Sequence, residues 1–195
     1  MNPFKEFNHF IAYFVPGVVL FVVLLMVSSL LLGTNVLISN NLFSTGIFIT
    51  LICGTILGLF IDDVRHSFIE PKLEKSILKE LKYDQNKIED LISYIPEGLN
   101  IEVYKLIRDE YFYFYEFDVN ISMALLILSI VIPFYIVYIY FLPCLFGLVL
   151  FLILFFVARL FYKMGKEGYS YFWETFIATM SKIKSNFKNE IKLNK

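Results

Sequence analysis

Asp62, His66 and Glu70 stand four residues apart where a long uncharged stretch of the chain ends. Residues spaced this way are neighbours along one face of a helix. A carboxylate beside an imidazole can bind a divalent cation or set a proton-dependent switch. The competing reading is a polar collar at a helix exit, with Arg65 paired to Asp62 or Asp63. Such a stripe drifts by about 40° every four residues, and the only other histidine is His9, so no metal site is expected. A second polar edge follows downstream. Tyr111–Phe117 holds six aromatic residues in seven positions and is interrupted by Glu116, with Asp118 and Asn120 just beyond. An aromatic belt at a membrane interface accounts for most of that run. Glu116 and Asn120, again four apart, suit a contact with the first cluster. Together Asp62, Arg65, His66, Glu70, Glu116, Asp118 and Asn120 are the candidate cytoplasmic gate or interface.

The elements that must carry these groups are membrane helices. Of the 195 residues, 58% are hydrophobic and 18% charged, against about 45–50% and 25% in ordinary soluble domains. No Asp, Glu, Lys or Arg occurs between Phe7 and Ile61, or between Val119 and Ala158. Each gap holds two spans of about 20 residues. The fold class is therefore all-α: a polytopic membrane protein with four transmembrane helices, at about 9–32, 42–61, 119–139 and 143–161. Helices 2 and 3 extend into a small cytoplasmic helical cap. The domains read as a first hairpin over 1–62, a cytoplasmic helical segment over 63–118, a second hairpin over 119–162 and a basic amphipathic tail over 163–195. The apolar run after the N-terminus is too long for a cleavable signal peptide.

Local signals refine this plan. Pro16-Gly17 predicts a kink or a local break, and Pro133 a second kink. Gly33–Asn41 and Leu142-Pro143 predict turns. Pro71 is expected to end the helix leaving the second span. Leu73, Ile77, Leu78 and Leu81 form one apolar face, and Ile88, Leu91, Ile92 and Ile95 another, with a helix start at Asn86 and a stop at Pro96-Glu97-Gly98. Asn100 is expected to cap a long helix reaching Tyr140. Lys163–Gly168 is expected to leave the membrane, and Tyr169–Phe187 to form a final amphipathic helix whose apolar side holds Phe172, Phe176, Ile177, Met180, Ile183 and Phe187.

Gly46, Thr50, Gly54 and Gly58 recur every fourth residue in the second span, a spacing that lets another backbone come close. They are candidate helix-packing or pore-lining residues, serving either a subunit contact or packing inside one bundle. The tail from Lys182 to Lys195 suits anionic lipid headgroups. Its charges are too few and too interrupted for direct nucleic-acid binding. Cys53 and Cys144 lie at different depths, beyond the roughly 7 Å that a disulfide tolerates between Cα atoms. Phosphate-loop, zinc-protease, nucleophile-elbow and paired-cysteine motifs are all missing from the sequence. Neither a cofactor nor an enzymatic reaction is expected.

All 17 Lys and Arg residues fall on one side of this topology. The positive-inside rule puts both termini and the central segment in the cytoplasm, in a cell inner membrane. Four thin helices enclose little space, so a permeation path requires a homo-oligomer, with four or more copies favoured. The expected partners are membrane lipids, copies of the chain and a soluble cytoplasmic protein. The expected function is a channel-like change in membrane permeability or integrity under control of the cytoplasmic segment. The rival is a non-conducting anchor that recruits a soluble partner through residues 71–110.

The plan of four spans, a helical cytoplasmic segment, an aromatic entry to the third span and no catalytic motif resembles small prokaryotic antiviral-defence membrane proteins. The Kiwa membrane subunit and membrane proteins accompanying CRISPR effectors are of this kind. That resemblance, over the organisation of the whole chain, implies an oligomer that acts with a soluble partner on infection.

Overall fold

Four stretches, within Phe10–Leu32, Gly46–Glu80, Phe114–Tyr140 and Cys144–Asn186, are long and apolar enough to cross a membrane. The chain has the character of a multi-pass membrane protein. The computed structural model describes residues 3–33, 42–93, 97–141 and 143–193, and no strand occurs among them. The elements are α1 (Pro3–Leu32), α2 (Leu42–Val64), a π-helical turn (Arg65–Ile69), α3 (Glu70–Glu80), α4 (Gln85–Ser93), α5 (Glu97–Tyr140) and α6 (Cys144–Leu193). The turns expected over Gly33–Asn41 beyond Gly33 and at Leu142, the stop at Pro96 and the side chains of Ile95 and Phe187 lie outside the described residues.

The apolar helices stand in a row rather than a closed bundle. α2 packs mainly on α1, α1 also on α5, and α5 on α6. α2 and α6 therefore occupy the two ends of the row. Both leave broad apolar faces uncovered by the chain, including Ile52, Ile56 and Phe60 on α2 and Leu148, Leu152 and Phe156 on α6. In lipid such faces carry no hydrophobic penalty, so close backbone packing rather than burial from water must hold the row together.

The close approaches are made by glycine. A Cβ on Gly17 would run into the backbone of Gly54 and Gly58, and one on Gly58 would strike the backbone of Tyr13. On the other side of the row, a Cβ on Gly165 of α6 would lie 2.7 Å from Val119 Cγ2 of α5. Ser122 adds a hydrogen bond across the same pair of helices, from its hydroxyl to the Ala158 carbonyl at 2.8 Å.

The largest core sits outside the long uncharged runs, in a helical head made of α3, α4, the start of α5 and the end of α6. Leu73, Ile77 and Leu78 from α3, Ile88 and Leu91 from α4, and Phe172, Phe176 and Met180 from α6 meet there. The apolar faces expected in residues 72–92 and 169–183 are the faces that form this core. Tyr169, Phe172, Trp173 and Phe176 add a ladder of ring contacts, such as Trp173 edge-on to Phe176 at 5.8 Å between centroids. Lys184 to Asp90 (2.9 Å) and Lys166 to Glu80 (2.9 Å) then tie α6 to α4 and α3 at the surface.

Several local expectations are corrected. Pro71 does not end a helix; it lies in the first turn of α3. Proline lacks the N–H that would bond four residues back, and its ring crowds that carbonyl. The chain meets this by widening to a π-helical turn over Arg65–Ile69, where the Glu70 N–H bonds the Arg65 carbonyl. The final helix expected over Tyr169–Phe187 is not a separate element, because α6 runs unbroken from the fourth span through Lys163–Gly168. Gly165 serves there as a contact against α5, and that packing outweighs its low helix propensity. α4 is started by Asp84 rather than Asn86: the Asp84 carboxylate accepts the Lys87 backbone N–H at 2.8 Å. Asn100 does not cap α5, which already begins at Glu97. Its amide instead donates to the Ile92 carbonyl at 3.2 Å, at the far end of α4. α1 continues through Pro16, and α5 through Pro133.

Candidate functional site: a buried arginine network between head and spans

Arg65 leaves α2 at the π-helical turn, and its side chain is fully buried. A guanidinium in that position must find several acceptors, because an unpaired buried charge is strongly disfavoured. Three carboxylates supply them. Asp62, three residues back, accepts from Nη2 at 2.9 Å and from Nε at 3.3 Å. Glu70, five residues on, accepts from Nη1 at 2.8 Å. An α-helical register favours partners three or four apart; the wider π-helical turn brings the fifth residue into reach. Glu116 of α5 accepts from Nη2 at 3.3 Å and is itself buried. The Tyr115 ring lies under the guanidinium carbon, 5.2 Å from its centroid, within the range of a cation–π contact. Tyr115 in turn stacks on Tyr169 of α6 at 4.4 Å.

His66 completes the rim. Its Nδ1 is 2.6 Å from a Glu70 oxygen and its Nε2 is 2.9 Å from Arg65 Nη2. Arginine can only donate, so in a neutral ring Nδ1–H donates to Glu70 and Nε2 accepts from Arg65. The second Asp62 oxygen lies 3.6 Å from the same Nε2.

Asn120 carries the network into the spans. Its amide donates to Asp62 at 2.9 Å and approaches the Ala12 carbonyl of α1 at 3.4 Å. Ala12 is four residues before Pro16, so it is the carbonyl that Pro16 leaves without its helical donor. In an apolar setting that carbonyl needs another partner, and Asn120 provides one. A proline in one span and an asparagine in another are thereby parts of one arrangement.

Of the candidate interface residues, the fold brings together Asp62, Arg65, His66, Glu70, Glu116 and Asn120. Asp118 is elsewhere, on the side of α5 that faces Gly165 of α6. Asp63 is exposed, and Asp62 is the aspartate that pairs with Arg65. Among the small residues of α2, Gly46, Gly54 and Gly58 are buried and Thr50 is partly so. Gly54 and Gly58 lie against Phe14, Val18 and Tyr13 of α1 in the same chain. The aromatic run splits by side: Tyr115 is buried in the network while Phe114 points outward, 70% exposed. Tyr115 and Pro16 were not singled out as site residues. Pro16 did carry a readable signal, since a proline within an apolar helix implies a donor nearby.

No family model, curated protein or solved structure matches this chain.

The arrangement is a set of ion pairs that ties several helices together. Three carboxylates converge on one guanidinium, each with an oxygen on Arg65, and His66 and Asn120 add bonds to Glu70 and Asp62. What it can do is couple positions: α2, α3 and α5 share one cation, and α1 is reached through Asn120.

Proposed function

We propose that this chain is a membrane-embedded protein that assembles with copies of itself and alters membrane permeability or integrity, with the helical head as its control element. The observation that carries this reading is the shared Arg65. Asp62 on α2, Glu70 on α3 and Glu116 on α5 all bond it, so a displacement of α3 in the head is transmitted to two spans at once. The open row adds support. Among the described residues the spans form an open row, and α2 and α6 offer uncovered apolar faces at which copies can meet. The distribution of lysine and arginine supports a head and both termini on the cytoplasmic side of a cell inner membrane. The resemblance to antiviral-defence membrane proteins suggests infection as the occasion.

The anchor reading is less well supported. The apolar side chains that residues 71–93 would offer a soluble partner are spent on the head's own core. Ile101, Tyr104 and Leu106 are the large exposed hydrophobics left between 71 and 110 among the described residues.

The experiment is dye release from liposomes carrying the protein, run beside a mass measurement of the nanodisc complex. A defined complex of four or more copies and a leak altered by Asp62→Ala and Glu116→Ala is expected. Because both residues bond the same guanidinium, their effects should be non-additive, with a coupling of roughly 0.5–3 kcal/mol in a double-mutant cycle. A monomer that leaks nothing in any variant would sink the proposal and return attention to a soluble partner. Gly54→Leu is not a test of subunit contact, since Gly54 packs within the chain.

A further inference from the structure

The head contains a cleft of about 780 Å³ between α3, α4 and α6, within the roughly 300–1,000 Å³ of small-molecule sites. Leu78, Ile88 and Trp173 contribute apolar wall. Four lysines line it as well: Lys75, Lys79, Lys82 and Lys87, the last with its ammonium on the Lys82 carbonyl at 3.0 Å. Three acidic residues share the lining, so the cations exceed the anions by one. Asp84 holds the Lys87 backbone N–H, and Glu74 accepts from the Tyr169 hydroxyl at 3.4 Å. Glu89 is the third. The cleft thus combines an excess of cations with an apolar interior.

Lys82 supplies an independent observation. It stands at φ 62°, the left-handed region. Around it the backbone makes the paired bonds of a Schellman motif: Lys82 N–H to the Lys79 carbonyl at 3.1 Å and Tyr83 N–H to the Leu78 carbonyl at 2.9 Å. Glycine is the usual residue at this position because it carries no side-chain penalty. A lysine here is the less favourable choice for folding, and strained residues of this kind gather at ligand clamps.

We propose that this cleft binds an organic phosphate, its phosphate held by Lys82 with Lys75, Lys79 or Lys87, and its apolar body lying toward Leu78, Ile88 and Trp173. Two sources share that chemistry, a soluble nucleotide and a phospholipid headgroup. The site stands on its own geometry; only its role as a trigger rests on the proposed function.

Trp173 is the single tryptophan of the chain, so its fluorescence reports on the cleft directly. The full-length protein in zwitterionic nanodiscs is titrated with metal-free ATP and, separately, with inorganic phosphate. A third arm compares nanodiscs with and without phosphatidylglycerol. A saturable change with ATP, weaker with phosphate alone, is expected for a soluble ligand. The same change on phosphatidylglycerol discs, without a response to ATP, assigns the lipid source. In either case Lys82→Gly should weaken binding about tenfold, the loss of one charge-assisted contact. Lys82→Arg should restore it, and Lys105→Ala, on α5 away from the cleft, should leave it unchanged. Lys82→Gly should also melt no lower than the parent protein, because it relieves the left-handed strain, so weak binding cannot be ascribed to misfolding. No saturable change in any arm, or equal effects of Lys82→Gly and Lys105→Ala, overturns the proposal. The readout is binding, so the answer does not depend on whether the protein conducts.

Discussion

Arg65→Met is expected to destabilise the folded protein by about 3–5 kcal/mol, because it strands Asp62, Glu70 and Glu116 beside one another without their shared cation. The intact network need not be strongly stabilising. Desolvating a guanidinium and three carboxylates offsets most of their attraction, which is why buried ion pairs are poor evidence for stability. Removing one partner is different, since the desolvation remains and the attraction is gone. The loss should be read as a lower midpoint of denaturant-induced unfolding in detergent micelles. The sign of a compensating change makes the cause specific. Adding Glu116→Gln to Arg65→Met removes one stranded charge and should recover part of the loss, whereas Glu116→Gln alone should weaken the parent protein. If the double variant is no better than Arg65→Met, the network is not the reason for the loss.

Gly58→Leu is the second large effect. A side chain there must displace the Tyr13 backbone, and Gly17 on the opposite helix leaves no slack because it already abuts Gly54 and Gly58. Backbone on both sides cannot swing aside as a flexible side chain would. The expected cost is at or above the roughly 1–3 kcal/mol of ordinary overpacking, seen as a lowered unfolding midpoint. Gly98→Ala is the control, because nothing lies within 4 Å of a Cβ at that position. It lies in the first turn of α5, where alanine should be neutral or stabilising by up to about 1 kcal/mol. Equal losses in both variants would mean that glycine packing does not hold α1 on α2.

The four apolar stretches were legible in the chain because bilayer thickness and the cost of charge in lipid leave a one-dimensional mark: long runs without Asp, Glu, Lys or Arg. The same holds for the amphipathic faces of residues 73–92 and 172–183, whose period records a buried side whatever it is buried against. The spacing of Asp62, His66 and Glu70, and of Glu116 and Asn120, identified groups that the fold brings together. Their arrangement around Arg65 was not legible. It needs a π-helical turn, which arises from Pro71 meeting a helix that tertiary packing keeps continuous, and local rules alone read Pro71 as a stop. The glycine row of α2 announced a close contact without naming its partner, since small residues permit approach from any helix; the packing of α1 supplies it. Lys163–Gly168 read as the exit from the fourth span, and the contact that Gly165 makes there was not legible. The low helix propensity of glycine is a local quantity, while the Val119 surface that Gly165 fits against is 46 residues away in the chain. Asn120 shows the division most plainly. Its polarity inside a span was visible in the sequence, but only the crossing of α1 and α5 sets it beside the carbonyl that Pro16 leaves without a donor.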